Sequence, residues 1–382
     1  MFINNRVCVL TLCAMLTLLP LGRVLADPAI KPAIVGLIST GSATNTLAKI
    51  STDAAKGIFG GLVIQANWKD LEPEENKLNT KIIEDALTNA KNDNVTDYNN
   101  NEAQDLNAAP NNRQLGVRLR IFAGCSGGKP DAPTWAMKKD AGFPISVTAE
   151  YDGKVETCEL GEFWNTNSNY AKAWRNFQKQ LAAVYDSNAL IREVSVTSCT
   201  SFSAEPFFLN LKHPRYDAKY PAPNPVPPLP ADALGAAGFT DEAYLECLTN
   251  AIDDYAPWQT TRLEFSFNEF SGLGKQDDVA ASELIMRRCR LTIGQRCILS
   301  NHDLDTKTPL TILPVYVFER KFGPNITFQS LHVTPTDYEG TLRKGVSLGA
   351  SSIEIWQEPQ LGSFEQQSRL TLVNWASMFE PQ

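Results

Sequence analysis

The stretch Gly61-Leu-Val-Ile-Gln-Ala-Asn-Trp68-Lys-Asp-Leu-Glu72-Pro73-Glu-Glu-Asn76 is a short apolar run that passes into Trp, Glu and Pro and then into a helical segment. A run of this length, closed by turn residues and followed by an amphipathic helix, is one βα unit. From Pro32 onward the same alternation repeats, which predicts a parallel sheet with crossover helices. Eight runs read as strands: Ala33–Ser39, Gly61–Trp68, Gly116–Gly124, Arg192–Cys199, Arg262–Phe270, Cys297–Asn301, Asn325–Ser330 and Ser351–Trp356. Eight such units close into a barrel.

Helical segments fall between them at Lys77–Lys91, Tyr170–Tyr185, Asp241–Tyr255, Val279–Thr292, Leu310–Phe322 and Thr336–Leu348, with a weaker first helix at Ala43–Lys56. In Tyr170–Tyr185 the residues Ala173, Trp174, Phe177, Leu181 and Val184 make a stripe at helical spacing, which reads as packing between helix and sheet. Asn92–Arg113 is polar and without periodicity, and reads as an excursion at the bottom of the barrel. Long inserts follow the third strand (Gly127–Asn169) and the fourth (Ser203–Gly238, with the Pro-rich run Pro221–Pro230). Loops after the strands build the active face of this architecture. The expected fold is therefore an α/β (β/α)8 TIM barrel with long loops after the third and fourth strands.

Met1–Arg6, the apolar run Val7–Leu21 and the close Val24-Leu25-Ala26 match a secretory signal peptide. Residues 1–26 are read as that signal, cleaved near Ala26, and 27–382 as a single barrel domain of a secreted or periplasmic protein. Loss of Arg6 and Arg23 takes the formal charge from −8 to −10, which excludes a nucleic-acid partner. The apolar run is too short for a membrane span, and no other stretch approaches the roughly 20 residues needed. Cys125, Cys158, Cys199, Cys247, Cys289 and Cys297 remain in the exported chain and permit up to three disulfides. Cys289 with Cys297 and Cys125 with Cys158 are the preferred local pairs, leaving Cys199 with Cys247. No metal or other cofactor is expected, because C-x-x-C and H-x-x-x-H spacings are absent and His213, His302 and His332 are scattered. The missing G-x-S-x-G elbow argues against a serine hydrolase, and the Gly127-Gly128 pair lacks the spacing of a phosphate loop. The sequence carries no signal for an oligomeric state.

The phrase Trp68-Lys-Asp-Leu-Glu72-Pro73, together with Ala132-Pro133-Thr-Trp135 after the third strand and Ala204-Glu205-Pro206 after the fourth, resembles the large clan of (β/α)8 glycoside hydrolases that includes cellulases and β-galactosidases. The resemblance implies a carbohydrate substrate and gives Glu205 the part of general acid and base, with Ala204 where the clan has Asn. A carboxylic acid suits protonation of a departing glycosidic oxygen when burial and a neighbouring carboxylate lift its pKa. A second carboxylate must stand across the sugar, and the clan's position for it, at the end of the seventh strand, holds Gln329 here.

Three replacements are available. Glu354 lies between Ile353 and Ile355 in the eighth strand, where a charge costs several kcal/mol unless it is paired or functional. Its structural alternative is a salt bridge to Arg118 or Arg120 inside the barrel. Glu269, at the end of the fifth strand beside Asn268, ranks next, and Glu358 third. Aromatic rings at strand ends stack on the apolar faces of sugars, which makes Trp356, Trp68 and Trp135 candidate platforms, with core packing as the alternative for each. Arg120 points opposite to Leu119 and Ile121 and suits either a carboxylated sugar or the orientation of a catalytic Glu. The expected site is Glu205 and Glu354 for catalysis, with Trp68, Arg120, Trp135, Asn268, Glu269, Gln329 and Trp356 around a poly- or oligosaccharide. The rival expectation is a carbohydrate-binding TIM barrel that has lost catalysis, motivated by Ala204 and Gln329.

Overall fold

A computed structural model describes residues 29–40, 59–99, 115–151, 154–202, 205–208, 211, 229–274, 278–307, 314–323, 325–331, 337–356 and 379. The strands in chain order are β1 (Gly36–Thr40), β2 (Phe59–Asn67), β3 (Gly116–Phe122), β4 (Cys125–Ser126), β5 (Lys129–Pro130), β6 (Ile145–Tyr151), β7 (Lys154–Leu160), β8 (Ile191–Ser195), β9 (Arg262–Ser266), β10 (Cys297–Leu304), β11 (Ile326–Ser330) and β12 (Ala350–Trp356). The helices are α1 (Trp68–Leu71), α2 (Lys81–Asn99), α3 (Thr134–Met137), α4 (Asn169–Tyr185), α5 (Pro230–Ala236), α6 (Asp241–Asp254), α7 (Val279–Ile293), α8 (Pro314–Phe322) and α9 (Tyr338–Ser347).

Eight strands close a barrel in the order β1-β12-β11-β10-β9-β8-β3-β2, and every neighbouring pair is parallel. The fold is an α/β TIM barrel. All eight expected strands are present, and the six later expected helices correspond to α2, α4, α6, α7, α8 and α9. Ala43–Lys56, Pro221–Pro228 and residues 1–28 lie outside the described residues. No helix among the described residues is long and apolar enough to cross a membrane.

Two expectations change. The polar segment from Asn92 is helical through Asn99 as part of α2: once Ile83, Ala86, Leu87 and Ala90 anchor the helix in the core, each further residue adds a backbone hydrogen bond at little cost. In α4, Tyr185 rather than Val184 completes the buried stripe, Val184 being 45% exposed. The buried arc also takes in Ala171, Gln178 and Ala182, so it is centred on the side of Tyr185 and leaves Val184 at its edge.

Local chemistry sets the boundaries. Ser168, Thr240, Asp278 and Asp337 each accept a main-chain N–H and cap α4, α6, α7 and α9. The Gly60-Gly61 pair lets β1 and β2 close together, since a Cβ at Gly60 would lie 1.9 Å from the Val35 carbonyl oxygen. Outward-facing strand residues such as Leu119, Val194 and Leu299 join the main core with the helices. Inside the barrel, Ile34, Ile38 and Val63 form a separate small apolar cluster, and Arg118, Arg120, Glu193, Glu264 and Glu354 bring buried charge among neutral polar groups such as Thr327 and Ser352. The segment after β3 is not irregular loop throughout: it folds into the hairpins β4-β5 and β6-β7. The six cysteines pair as Cys125–Cys158, Cys199–Cys247 and Cys289–Cys297.

Candidate active site

Arg118 and Arg120 sit two residues apart on β3, so both side chains enter the lumen. Arg118 donates from Nε and Nη2 to Glu193 Oε2 at 2.9 and 2.7 Å, and from Nη1 to Glu354 Oε2 at 3.0 Å. Arg120 grips both oxygens of Glu354, each at 2.7 Å. Thr40 donates its hydroxyl to the same carboxylate, and Glu193 accepts the Ile34 N–H at 2.8 Å. Burial alone would favour the neutral acid in Glu354, but Arg120 and Arg118 outweigh it and hold the carboxyl at about 2. The structural alternative for Glu354 is thus present, with both arginines engaged. Its side chain has no exposed surface, so the carboxylate is ionised, saturated with donors and sealed beneath the mouth.

Above this layer is an arrangement that sequence reasoning did not assemble. Glu205 follows β8, and its Oε1 lies 2.5 Å from His302 Nδ1. The other ring nitrogen, Nε2, lies 3.2 Å from Glu264 Oε1 on β9. Burial of the ring would lower its pKa, yet the two carboxylates more than compensate and push it up to about 9. Near neutral pH His302 is therefore an imidazolium that donates to both carboxylates. Glu264 is fully buried, which by itself raises its pKa, but Arg118, His302 and Arg120 bring it well below the usual carboxylate range. Glu205 is the outermost of the three, with 19% of its side chain exposed against 7% for His302 and 1% for Glu264. A signal for Glu264 existed: it lies between Leu263 and Phe265 in a central strand, the same pattern that singled out Glu354. His302 was missed because the sixth barrel strand was expected to stop at Asn301, whereas β10 runs on to Leu304.

The aromatic candidates fare differently. Trp68 opens α1 and is fully buried; its ring packs on Trp174, Phe177 and Tyr170 at 5.1, 5.6 and 5.5 Å. It has no face open to a sugar, and the platform expectation is corrected to core packing. Its indole N–H donates to Glu72 Oε2 at 2.9 Å, while Glu72 Oε1 accepts Asn76 N–H and Gln180 Nε2, each at 2.9 Å. The Trp-x-x-x-Glu-Pro phrase is therefore a clamp that fastens the turn after β2 to α4. Trp135 is half-buried, donates to the Glu72 carbonyl at 3.0 Å and meets Trp68 edge-on at 6.0 Å, with Lys139 Nζ 5.3 Å from its ring centre.

Asn268 is half-buried and accepts from Asn301 Nδ2 at 3.2 Å. Glu269, also half-buried, lines a cavity of about 20 Å3 together with Pro206 and Phe207, the residues next to Glu205. Gln329 is buried in register with Glu354. Trp356 ends β12 in register with Thr40, and Glu358 lies outside the described residues. Among the described residues there is no group of three or more His, Cys, Asp or Glu arranged to hold a metal ion.

No protein-family model matches the chain. No curated protein matches it in sequence. Among solved structures, the chain is similar to the catalytic domain of β-amylase from Paenibacillus polymyxa, at 12% identity and a TM-score of 0.55, over 92% of this chain and 100% of that one. It also aligns with an exo-β-1,4-mannosidase from an Opitutaceae bacterium, at 10% identity and a TM-score of 0.46, over 94% of this chain and 63% of that one. A third alignment is with endo-glycoceramidase II from Rhodococcus sp. as its lactosyl-enzyme intermediate, at 12% identity and a TM-score of 0.42, over 87% and 76%. The first likeness establishes the shared fold, which agrees with the barrel described above.

Proposed function

We propose that this chain is an exported glycoside hydrolase that cleaves an O-glycosidic bond in a poly- or oligosaccharide. The observation that carries the reading is the Glu205–His302–Glu264 line, a partly exposed carboxylate at the barrel mouth backed by a charged imidazole and a buried anion. Glu205 and His302 together hold one mobile proton at the surface of the site. In the reaction that proton passes through Glu205 to the departing glycosidic oxygen as the bond to the anomeric carbon breaks. Glu264 remains anionic and steadies the ring, and the pair is recharged when an incoming water bonds through its oxygen to the anomeric carbon and gives its proton to Glu205.

Glu354 acts in this reading as a positioning residue: it fixes Arg120, which in turn shapes the field at the mouth. Glu269, half-buried on the segment after β9, takes the part of the second carboxylate. Export follows from the signal-like residues 1–26, with Ala26 as the last residue removed, and three disulfides suit an oxidising compartment. The second reading, a carbohydrate-binding barrel without catalysis, is favoured by the sealing of Glu354 beneath two arginines. Product release from a panel of plant, bacterial and fungal polysaccharides, run beside Glu205→Gln, separates the two. Release that the variant abolishes supports the hydrolase, while binding without release in both proteins supports the binder.

A further inference from the structure

The segment after β3 and helix α5, which belongs to the segment after β8, together border an open surface cavity of about 610 Å3, lined by Asp140, Phe143, Ile145, Glu162, Ala233 and Ala236 among others. Both segments follow barrel strands, so the cavity belongs to the face that carries Glu205. Its volume lies within the range of small-molecule sites, about 300–1,000 Å3. The wall has two characters. Phe143 is half-buried with its ring 5.7 Å from Trp164, and with Ile145 and the alanines of α5 it makes an apolar side. Opposite in character are two carboxylates. Asp140 is fixed by the N–H groups of Asn169 and Tyr170, each at 2.9 Å. Glu162 Oε1 accepts from Asn165 Nδ2 at 3.0 Å, whereas its Oε2 has no hydrogen-bond partner among the described residues. Among the described residues that line the cavity there is no Lys, Arg or His.

We propose that this cavity is a distal subsite for a neutral sugar unit of the substrate chain, an inference that rests on the glycosidase reading above. A pyranose has C–H faces for Phe143 and the alanines, and hydroxyl donors for two acceptor-only groups. The two carboxylates Asp140 and Glu162 repel phosphorylated and uronic sugars. The cavity is also joined to the catalytic loop through packed rings. Trp164 lies 5.9 Å from Phe208, three residues beyond Glu205, and donates its indole N–H to the Ala237 carbonyl at 3.3 Å. A sugar held there extends the hold on long chains.

The test is Ala236→Trp, at an exposed position of α5 on the cavity wall, together with Glu162→Gln, assayed on neutral hexasaccharides and disaccharides of glucose, mannose and xylose. The expected result is that the ratio of disaccharide KM to hexasaccharide KM falls about tenfold in Ala236→Trp, the loss of one modest subsite. An unchanged ratio with active enzyme overturns the subsite and leaves the glycosidase reading intact. If the wild type hydrolyses none of the sugars, calorimetric titration with the hexasaccharides decides: saturable binding weakened in both variants upholds the cavity while the hydrolase reading fails. Absence of binding, or binding the variants do not change, overturns the cavity.

Discussion

His302 Nδ1 lies 2.5 Å from Glu205 Oε1, although the two residues are 97 positions apart in the chain. Removing the carboxylate as Glu205→Gln is expected to lower kcat by about 10²–10⁴-fold, the usual weight of a positioned proton donor. His302→Asn should cost less and should flatten the alkaline limb of the pH–rate profile, because the proton is no longer shared with a group that titrates at about 9. Steady-state rates from pH 4 to 10 for the three proteins check both outcomes; an unaltered limb in His302→Asn would remove His302 from the mechanism.

Stability should carry the same signature. The His302 pKa is raised from 6.5 to about 9 by Glu205 and Glu264 against the opposing effect of burial. The charged ring therefore stabilises the fold fully below about pH 6.5, and that contribution disappears as the pH rises through about 9. The excess stability of the wild type over His302→Asn is expected to shrink across that window by about 3 kcal/mol, read from urea midpoints at successive pH values.

Glu354 differs from Glu205 in what its loss does. Glu354→Gln leaves Arg120 without its bidentate partner and weakens the hold on Arg118 in a sealed lumen, which should cost roughly 3–5 kcal/mol of folding stability. Glu205→Gln, at the partly exposed end of its line and with Glu264 still on the ring, should cost less, about 1–2 kcal/mol. Equal urea midpoints for the two variants would contradict this division between positioning and chemistry.

Glu319 on α8 is fully buried with neither carboxyl oxygen hydrogen-bonded among the described residues. Burial lifts its pKa well above the ordinary 4.5, so the folded state keeps a proton that the unfolded chain releases. Stability from this group falls as the pH climbs above about 4.5 and levels off only beyond its folded pKa. Glu319→Gln is expected to raise Tm at pH 8 more than at pH 5. A thermal scan at the two values that shows equal shifts would disprove it.

The disulfides should contribute in order of the loops they close. Cys199–Cys247 spans 48 residues and Cys289–Cys297 spans 8. Replacing each pair by alanine is expected to cost about 4 and about 2.5 kcal/mol respectively, by loop entropy. Denaturation of the two double variants gives the comparison.

By itself the sequence determined the barrel. Strand and helix periodicities are local, so the eight apolar runs and six of the helices between them could be read in order, and two cysteine pairs were preferred as local ones, with Cys199 and Cys247 left over. Glu205 was singled out by the resemblance of Ala204-Glu205-Pro206 to the clan's phrase after the fourth strand. What only the tertiary structure decided is the content of the lumen. Arg118 meets Glu354 across 236 positions and Glu193 across 75, and His302 on β10 joins Glu264 on β9 to Glu205 in the segment after β8. Except for Glu205, each of these residues alternates correctly within its own strand, but alternation says only that a side chain faces inward. Which inward charge finds which partner depends on the stagger between strands that closes the barrel, and that stagger is a property of the whole sheet, written in no single segment. Trp68 shows the same division: its strand-end position was readable, whereas its burial under α4 required the helix to be in place.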